Sequence, residues 1–469
     1  MKHGIQLLFT TGTLLLLTIG ASAQETITID SKTTYQTMRG WENTAWIADP
    51  CDPAFPALRD IVIDRAVNQV GIDRLRLEVR SGVENTTDYY ADWIAAGCPG
   101  PPDQQYTRWR DNRYATVNDN NDPNTINWNG FHFSELDWIV ENIILPYKTK
   151  MAKNGEDLFI NLCYVAFTSQ INGGTYHHDD PQEYAEFVLA TYLHLQNKYG
   201  FVPDTWEILL EPDNVSQWDG TLIGEAVVAT AARLTTAGFT PKFVAPSNTN
   251  MGNAITYFDD MIAVPGALQY LEEYSYHRYA GVSKSNLKAI ADRAVQHNLS
   301  TAMLEWWFDN ATHEVLYEDL TLGRNSAWQG SVLAGLFNID VKDPQNPTVS
   351  IRDVQKFNRQ YFKFVRREAV RIDAQSDGNN FKPVAFVNKG KRFVVVVNTD
   401  TGGPFRISGL PAGIYGLKYT TNADYNINLP PVRVAPGKIL NAQIPDAGVI
   451  TIYDSRLSKR RIRSIPANP

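Results

Sequence analysis

Between residues 38 and 368, short apolar runs alternate with stretches of helical periodicity, and few folds satisfy that rhythm. Met38–Trp46, Gly71–Val79 and Leu158–Val165 read as the first three strands. A fourth run ends at Glu211, and Lys242–Ser247, Leu271–Tyr279, Thr301–Glu305 and Ser326–Gln329 complete eight. Helical patterns cover 55–70, Ser134–Lys150, Asp180–Tyr199, Gly220–Ala237 and Val354–Arg366, the third with Pro181 in its first turn. Strands and helices in this order close into a (β/α)8 TIM barrel. A chain of 469 residues has room for that barrel and one smaller domain.

The smaller domain begins at Ala369, where the composition changes. Val384–Asn398 is two strands around a Lys-Gly turn, and short strands with Gly and Pro turns continue to Tyr453, the pattern of a β-sandwich. The alternating Thr-Ile-Thr-Ile near the start makes 24–37 a half-exposed strand that joins the sandwich. The expected domains are therefore the barrel at 38–368, the sandwich at 369–455 and a solvated basic tail at 456–469. Residues 80–130, rich in Asp, Asn, Pro and Trp, interrupt the rhythm as a long loop. A loop of that length is usually functional, and this one could wall off one end of a cleft.

Met1–Ala23 has the form of a secretory signal: Lys2 and His3, an apolar run over Leu14–Ile19, and Ala21-Ser22-Ala23 before Gln24. This predicts a secreted or periplasmic protein without a lipid anchor, since no cysteine follows the cleavage site. No later stretch is apolar for long enough to span a membrane. Export permits a disulfide. Cys51 and Cys98, both in loop-like surroundings, are the candidate pair, while Cys163 in the run Leu158–Val165 reads as an inert core thiol. A formal net charge of -8 and a pI of about 5.6 argue against a nucleic-acid surface.

Two apolar runs end in an acid. Trp206, Ile208, Leu209 and Leu210 lead to Glu211, with Pro212 closing the run. Thr301–Leu304 leads to Glu305, followed by Trp306 and Trp307. Carboxylates at the C-terminal ends of two barrel strands suit glycoside hydrolysis. One must be held protonated by a raised pKa to give a proton to the leaving oxygen, and the other must stay ionised. Sugar rings present flat C–H faces, so some of the 11 Trp and 22 Tyr are candidate stacking platforms.

At these residues the chain resembles the retaining glycoside hydrolases of clan A, family 30 in particular. Leu210-Glu211-Pro212 resembles the clan's acid/base motif and Met303-Leu304-Glu305-Trp306 its nucleophile strand. Tyr276-His277-Arg278-Tyr279 is similar to its sixth-strand aromatic segment, Leu316–Trp328 to the passage into strand eight, and Phe357–Ile372 to the barrel–sandwich junction. The resemblance spans most of residues 30–400 but not the 80–130 insertion. It implies that Glu211 is the acid/base and Glu305 the nucleophile. It also implies that Arg76, rather than Arg74 on the same strand face, keeps the nucleophile ionised. His277 and Tyr279 would contact the sugar or tune the nucleophile, with Trp41, Trp46, Trp306 and Trp328 as candidate walls. One departure stands out: Leu210 occupies the place of the clan's usual Asn, which bonds the sugar 2-hydroxyl. Either Asn214, Asn248 or Asn250 substitutes for it, or the substrate differs at C2. The expected activity is hydrolysis of a carbohydrate by double displacement, with no cofactor or metal. The alternatives are a clan A hydrolase of another family with a different sugar, or a catalytically weak carbohydrate-binding protein.

Overall fold

In a computed structural model, which describes residues 24–459 except Phe308, the eight runs form a closed barrel. The signal-like Met1–Ala23 and the end of the basic tail lie outside the described residues. The barrel strands are, in order, Gly40–Thr44, Arg74–Arg80, Phe159–Val165, Thr205–Glu207, Phe243–Asn250, Leu271–Ala280, Ser300–Glu305 and Asn325–Val332. All neighbours pair in parallel, and strand one closes on strand eight through Trp41↔Trp328.

The barrel interior is polar at its heart. Arg74 on strand two reaches Glu42 on strand one and grips Glu273 on strand six through two bonds of 2.6 and 2.9 Å. Only a side chain pointing inward can cross to strand six. Burial, and the nearby Glu207, hold the Glu42 carboxyl up at about 7 even though Arg74 lies against it. Residues alternating with this set face outward into the main core, among them Leu75, Trp206, Ala245, Tyr274 and Met303.

The second unit is a nine-stranded, mostly antiparallel sheet around its own core of Ile27, Phe381, Val395, Phe405 and Ile450, and it fits a β-sandwich. The N-terminal strand Thr26–Thr37 is part of it, antiparallel to Val370–Ser376 and parallel to Gly403–Ser408. The last barrel helix, Asp353–Phe362, docks on this sheet: Gln360 donates to Thr420 at 2.8 Å and Tyr361 to Asn398 at 2.6 Å. At the C-terminal end, Arg456–Lys459 forms one helical turn, with Arg456 exposed and paired to Asp454.

The 80–130 segment differs from the expected loop. It holds two helices, Tyr89–Ala95 and Gln104–Asn112, each opened by an aspartate that accepts from a first-turn amide: Asp88 from Ala91 and Asp103 from Gln105. A disulfide joins Cys51 to Cys98 and ties the segment to the loop after strand one. Cys163 is a buried free thiol. No helix among the described residues is long and apolar enough to cross a membrane.

Candidate active site

Strand four pairs as a ladder only over Thr205–Glu207, four residues short of the acid. Beyond it the chain bends but still bonds alternately to its neighbours: Ile208 to Val244 at 3.1 Å and Leu210 to Tyr164 at 2.9 Å. It then turns sharply at Glu211, whose φ of 52° lies in the left-handed region. That region is uncommon outside glycine and is frequent at functional sites. The turn Pro212–Asn214 follows and is held by Asp213. Its carboxylate accepts from Thr249 N (2.9 Å), Thr249 Oγ1 (2.8 Å), Asn250 N (3.1 Å) and Asn253 Nδ2 (3.1 Å).

The turn aims Glu211 at Glu305 on strand seven. Oxygens of the two carboxylates and a ring nitrogen of His277 all lie within 4.8 Å of one another. Glu305 Oε2 accepts from Arg76 Nη2 at 2.6 Å and Oε1 from the Tyr279 hydroxyl at 2.8 Å. Arg76 is fully buried, and the same nitrogen also meets Glu78 at 3.2 Å. Arg74 instead lies among Glu42 and Glu273 and does not touch either acid.

Glu211 Oε1 accepts from His277 Nδ1 at 3.1 Å and Oε2 from Asn214 Nδ2 at 2.9 Å. Burial pushes the Glu211 carboxyl up, but the His277 bond and charge, Asn214 and Arg76 outweigh it, and the net direction is below the usual carboxylate range. This differs from the raised value expected of an acid. The physical reason is that the proton sits preferentially on the partner: burial alone would depress His277, but Glu211 and the Glu305 charge raise it above its ordinary 6.5. Together the imidazole and carboxyl form one proton-holding pair. Two carboxylates and an imidazole are also a chemically possible cation set. Here, however, Glu305 is already neutralised by Arg76, so a divalent ion would face a buried guanidinium.

The other candidates divide. Trp306 donates its indole N–H to Asn310 O at 2.9 Å and packs edge-on to Tyr279 at 5.6 Å, beside Glu305. Trp46 stands at the mouth of the barrel, 48% exposed. Trp41 and Trp328 do not wall the site. Both are buried outside the barrel against Phe362, with indole N–H groups donating to Val365 O (2.6 Å) and Asp319 Oδ2 (2.8 Å). Strand alternation accounts for this: Glu42 faces inward, so its neighbour Trp41 must face out, and Trp328 is level with Trp41. Asn214 touches Glu211 directly, whereas Asn250 is spent capping the helix Met251–Ala263. Asn248 is buried at the end of strand five with neither amide atom paired among the described residues. Leu210 packs into an apolar cluster with Tyr114, Cys163 and Val165. Asp213 and Glu78 escaped the sequence reading. The four donors that engage Asp213 come from the end of strand five and the helix after it, 36 or more residues away, and Glu78 is visible only as the next inward-stepping acid after Arg76.

No family model and no curated protein matches the sequence. Solved structures do match. A family 30 endoxylanase from Clostridium papyrosolvens superposes with a TM-score of 0.63 at 16% identity, covering 91% of this chain and 98% of that one. The chain shares the fold of that structure. The catalytic domain of a family 30 xylanase C from Talaromyces cellulolyticus gives 0.61 at 17% identity, with 92% and 99% covered. A family 51 arabinofuranosidase from Xanthomonas axonopodis pv. citri gives 0.53 at 11%, with 92% and 99% covered. At these identities the likeness is one of fold, and it spans the barrel and the sandwich together.

Proposed function

We propose that the protein is a retaining β-glycosidase that hydrolyses O-glycosidic bonds of an oligo- or polysaccharide by double displacement. The observation that carries this reading is the meeting of Glu211 and Glu305 within 4.8 Å, one held by Arg76 and Tyr279 and the other by His277 and Asn214. Retaining chemistry needs carboxyls about 5–5.5 Å apart, whereas inversion leaves room for a water between carboxyls roughly 6.5–9.5 Å apart. The family 30 fold supports the same class of reaction by analogy.

Glu305, ionised against Arg76, attacks the anomeric carbon. As the glycosidic bond breaks, the single proton that the pair shares passes from His277 Nδ1 through Glu211 to the glycosidic oxygen, leaving the carboxylate ionised and the imidazole neutral. The covalent glycosyl-enzyme is then opened by water, which gives its proton back to the Glu211–His277 pair. Tyr279 fixes the rotamer of Glu305, so the attacking oxygen is aimed before substrate arrives. No step calls for a cofactor. Export to a secreted or periplasmic location is part of the proposal, supported by the signal-like start and by the Cys51–Cys98 disulfide, a bond favoured in oxidising compartments.

The alternative of a carbohydrate-binding protein draws on Leu210, whose apolar surroundings offer a sugar no polar contact. Turnover decides between them. On aryl β-glycosides, Glu305→Ala is expected to lose turnover and to regain it with azide as the glycosyl azide of inverted configuration. Glu211→Ala is expected to keep activated leaving groups and to give the retained azide. No turnover by the unmodified protein, or a retained azide from Glu305→Ala, would contradict the proposal.

A further inference from the structure

Two hollows of about 720 and 110 Å3 share Thr44, Trp46, Ala48 and Glu78, and the smaller is lined by Arg76, the partner of Glu305. They therefore form one groove with Glu78 at its middle. The larger hollow is of ligand-pocket size, about 300–1,000 Å3, and lies under the hairpin of Phe337–Asp340 and Thr348–Ile351. The smaller runs to the stacked Trp93 and Trp109 of the 80–130 insertion. Glu78 and Glu305 sit on the same Arg76 nitrogen, so the middle of the groove lies one guanidinium away from the nucleophile.

Charge in this groove is lopsided. Its arginines are all engaged: Arg76 with Glu305, Arg80 with Glu135, and Arg352 with Asp309 at 3.3 Å. Its remaining carboxylates have no such answer. Asp49 and Asp52 make no ion pair among the described residues, and Glu78 has only the part of Arg76 that Glu305 leaves. A sugar carboxylate entering at Glu78 meets like charge, and the part-exposed guanidinium of Arg352, at the far side of the larger hollow, is shared with Asp309. Sugar hydroxyls, by contrast, are donors that Glu78 can accept, while Trp46 offers a face for C–H stacking.

We infer that this groove is a glycan subsite for uncharged sugars, with Glu78 as the residue that accepts their hydroxyls and excludes uronate-bearing chains. The inference deepens the glycosidase reading and rests on it for the direction of the groove, but binding tests it without turnover.

The experiment is affinity electrophoresis of the full chain in native gels. The gels contain neutral polysaccharides with free primary hydroxyls (a β-1,3/1,4 mixed-linkage glucan, a β-1,4-galactan and a β-1,4-mannan) and the same polymers after oxidation of those hydroxyls to carboxylates. Salt at 0.5 M shortens the reach of the protein's overall negative charge to a few ångströms, so only contacts inside the groove still discriminate. At least one neutral polymer is expected to retard the protein, with its oxidised form at least tenfold weaker. Glu78→Gln is expected to narrow that gap threefold or more, and Trp46→Ala to weaken retardation by the neutral polymer. Equal retardation by both forms, an unchanged gap in Glu78→Gln, or no retardation by any neutral polymer would overturn the inference. A protein that discriminates in the gel yet releases no product would contradict the hydrolase reading and leave the subsite standing.

Discussion

Replacing His277 with phenylalanine probes the proton-holding pair at the centre of the site. The substitution keeps a flat ring in a fully buried position and removes one bond, Nδ1 to Glu211 Oε1 at 3.1 Å. Hydrogen bonds to a charged group contribute about 1.5–3 kcal/mol. This one is longer than the 2.7–2.9 Å typical of charge-assisted pairs, so the lower end applies, and about 1.4 kcal/mol is a tenfold change in rate. The variant should therefore lose roughly tenfold in kcat/KM. Its pH profile should also change shape. His277 is raised above 6.5, so the pair keeps its proton until pH rises through that raised value, and the basic limb of the wild-type profile lies there. With phenylalanine, Glu211 must hold the proton alone and the limb moves to lower pH. Thermal melts give a second readout. The stability from a raised histidine is present below 6.5 and lost as pH climbs through its folded value. That from a lowered carboxyl is present above 4.5 and lost as pH falls through its folded value. The melting gap between wild type and variant should be widest between 4.5 and 6.5. A basic limb that stays in place, with kcat/KM within twofold of wild type, would refute the pairing.

Other expectations follow from single contacts. Arg76→Met strands the Glu305 and Glu78 carboxylates without their shared cation; it should abolish turnover and cost about 3–5 kcal/mol of stability, and adding Glu78→Gln should restore part of the melting temperature but not the activity. Asp213→Ala removes all four bonds to its carboxylate. It should lower kcat and speed amide exchange at Thr249 and Asn250, the two backbone donors it releases. Cys98→Ser opens the loop closed by two cysteines 47 positions apart. It should cost about 2–4 kcal/mol, read as a lower melting temperature that reducing agent brings on in the wild type as well.

The parts of this fold that were readable in the sequence are those where a local rule and the tertiary structure agree. The Glu211-Pro212 stop and the apolar run into Glu305 mark strand ends because proline and a charge both end burial. The Thr-Ile-Thr-Ile alternation marks a strand with one buried face, which needs a sheet to join. The misplaced tryptophans show where a local rule is insufficient. Trp41 next to Glu42 leaves open which side chain points into the barrel, and the usual guess, apolar inward, fails because Arg74 and Glu273 make the interior polar. The 80–130 segment seemed a loop through its polar composition, although Asp88 and Asp103 were legible as helix caps. The lowered Glu211 carboxyl was beyond reach, because it depends on His277 arriving from a strand 66 residues away.

The claim on which the rest depends is that Glu305 forms a bond to the sugar. Incubation with a 2-deoxy-2-fluoro aryl β-glycoside, followed by proteolysis and mass spectrometry, tests it directly. The account predicts one glycosyl adduct on the peptide containing Glu305, formed with a burst of aryl leaving group and absent from Glu305→Gln. An adduct on another carboxylate, or steady release of the leaving group with an inverted sugar product and no adduct, would contradict it.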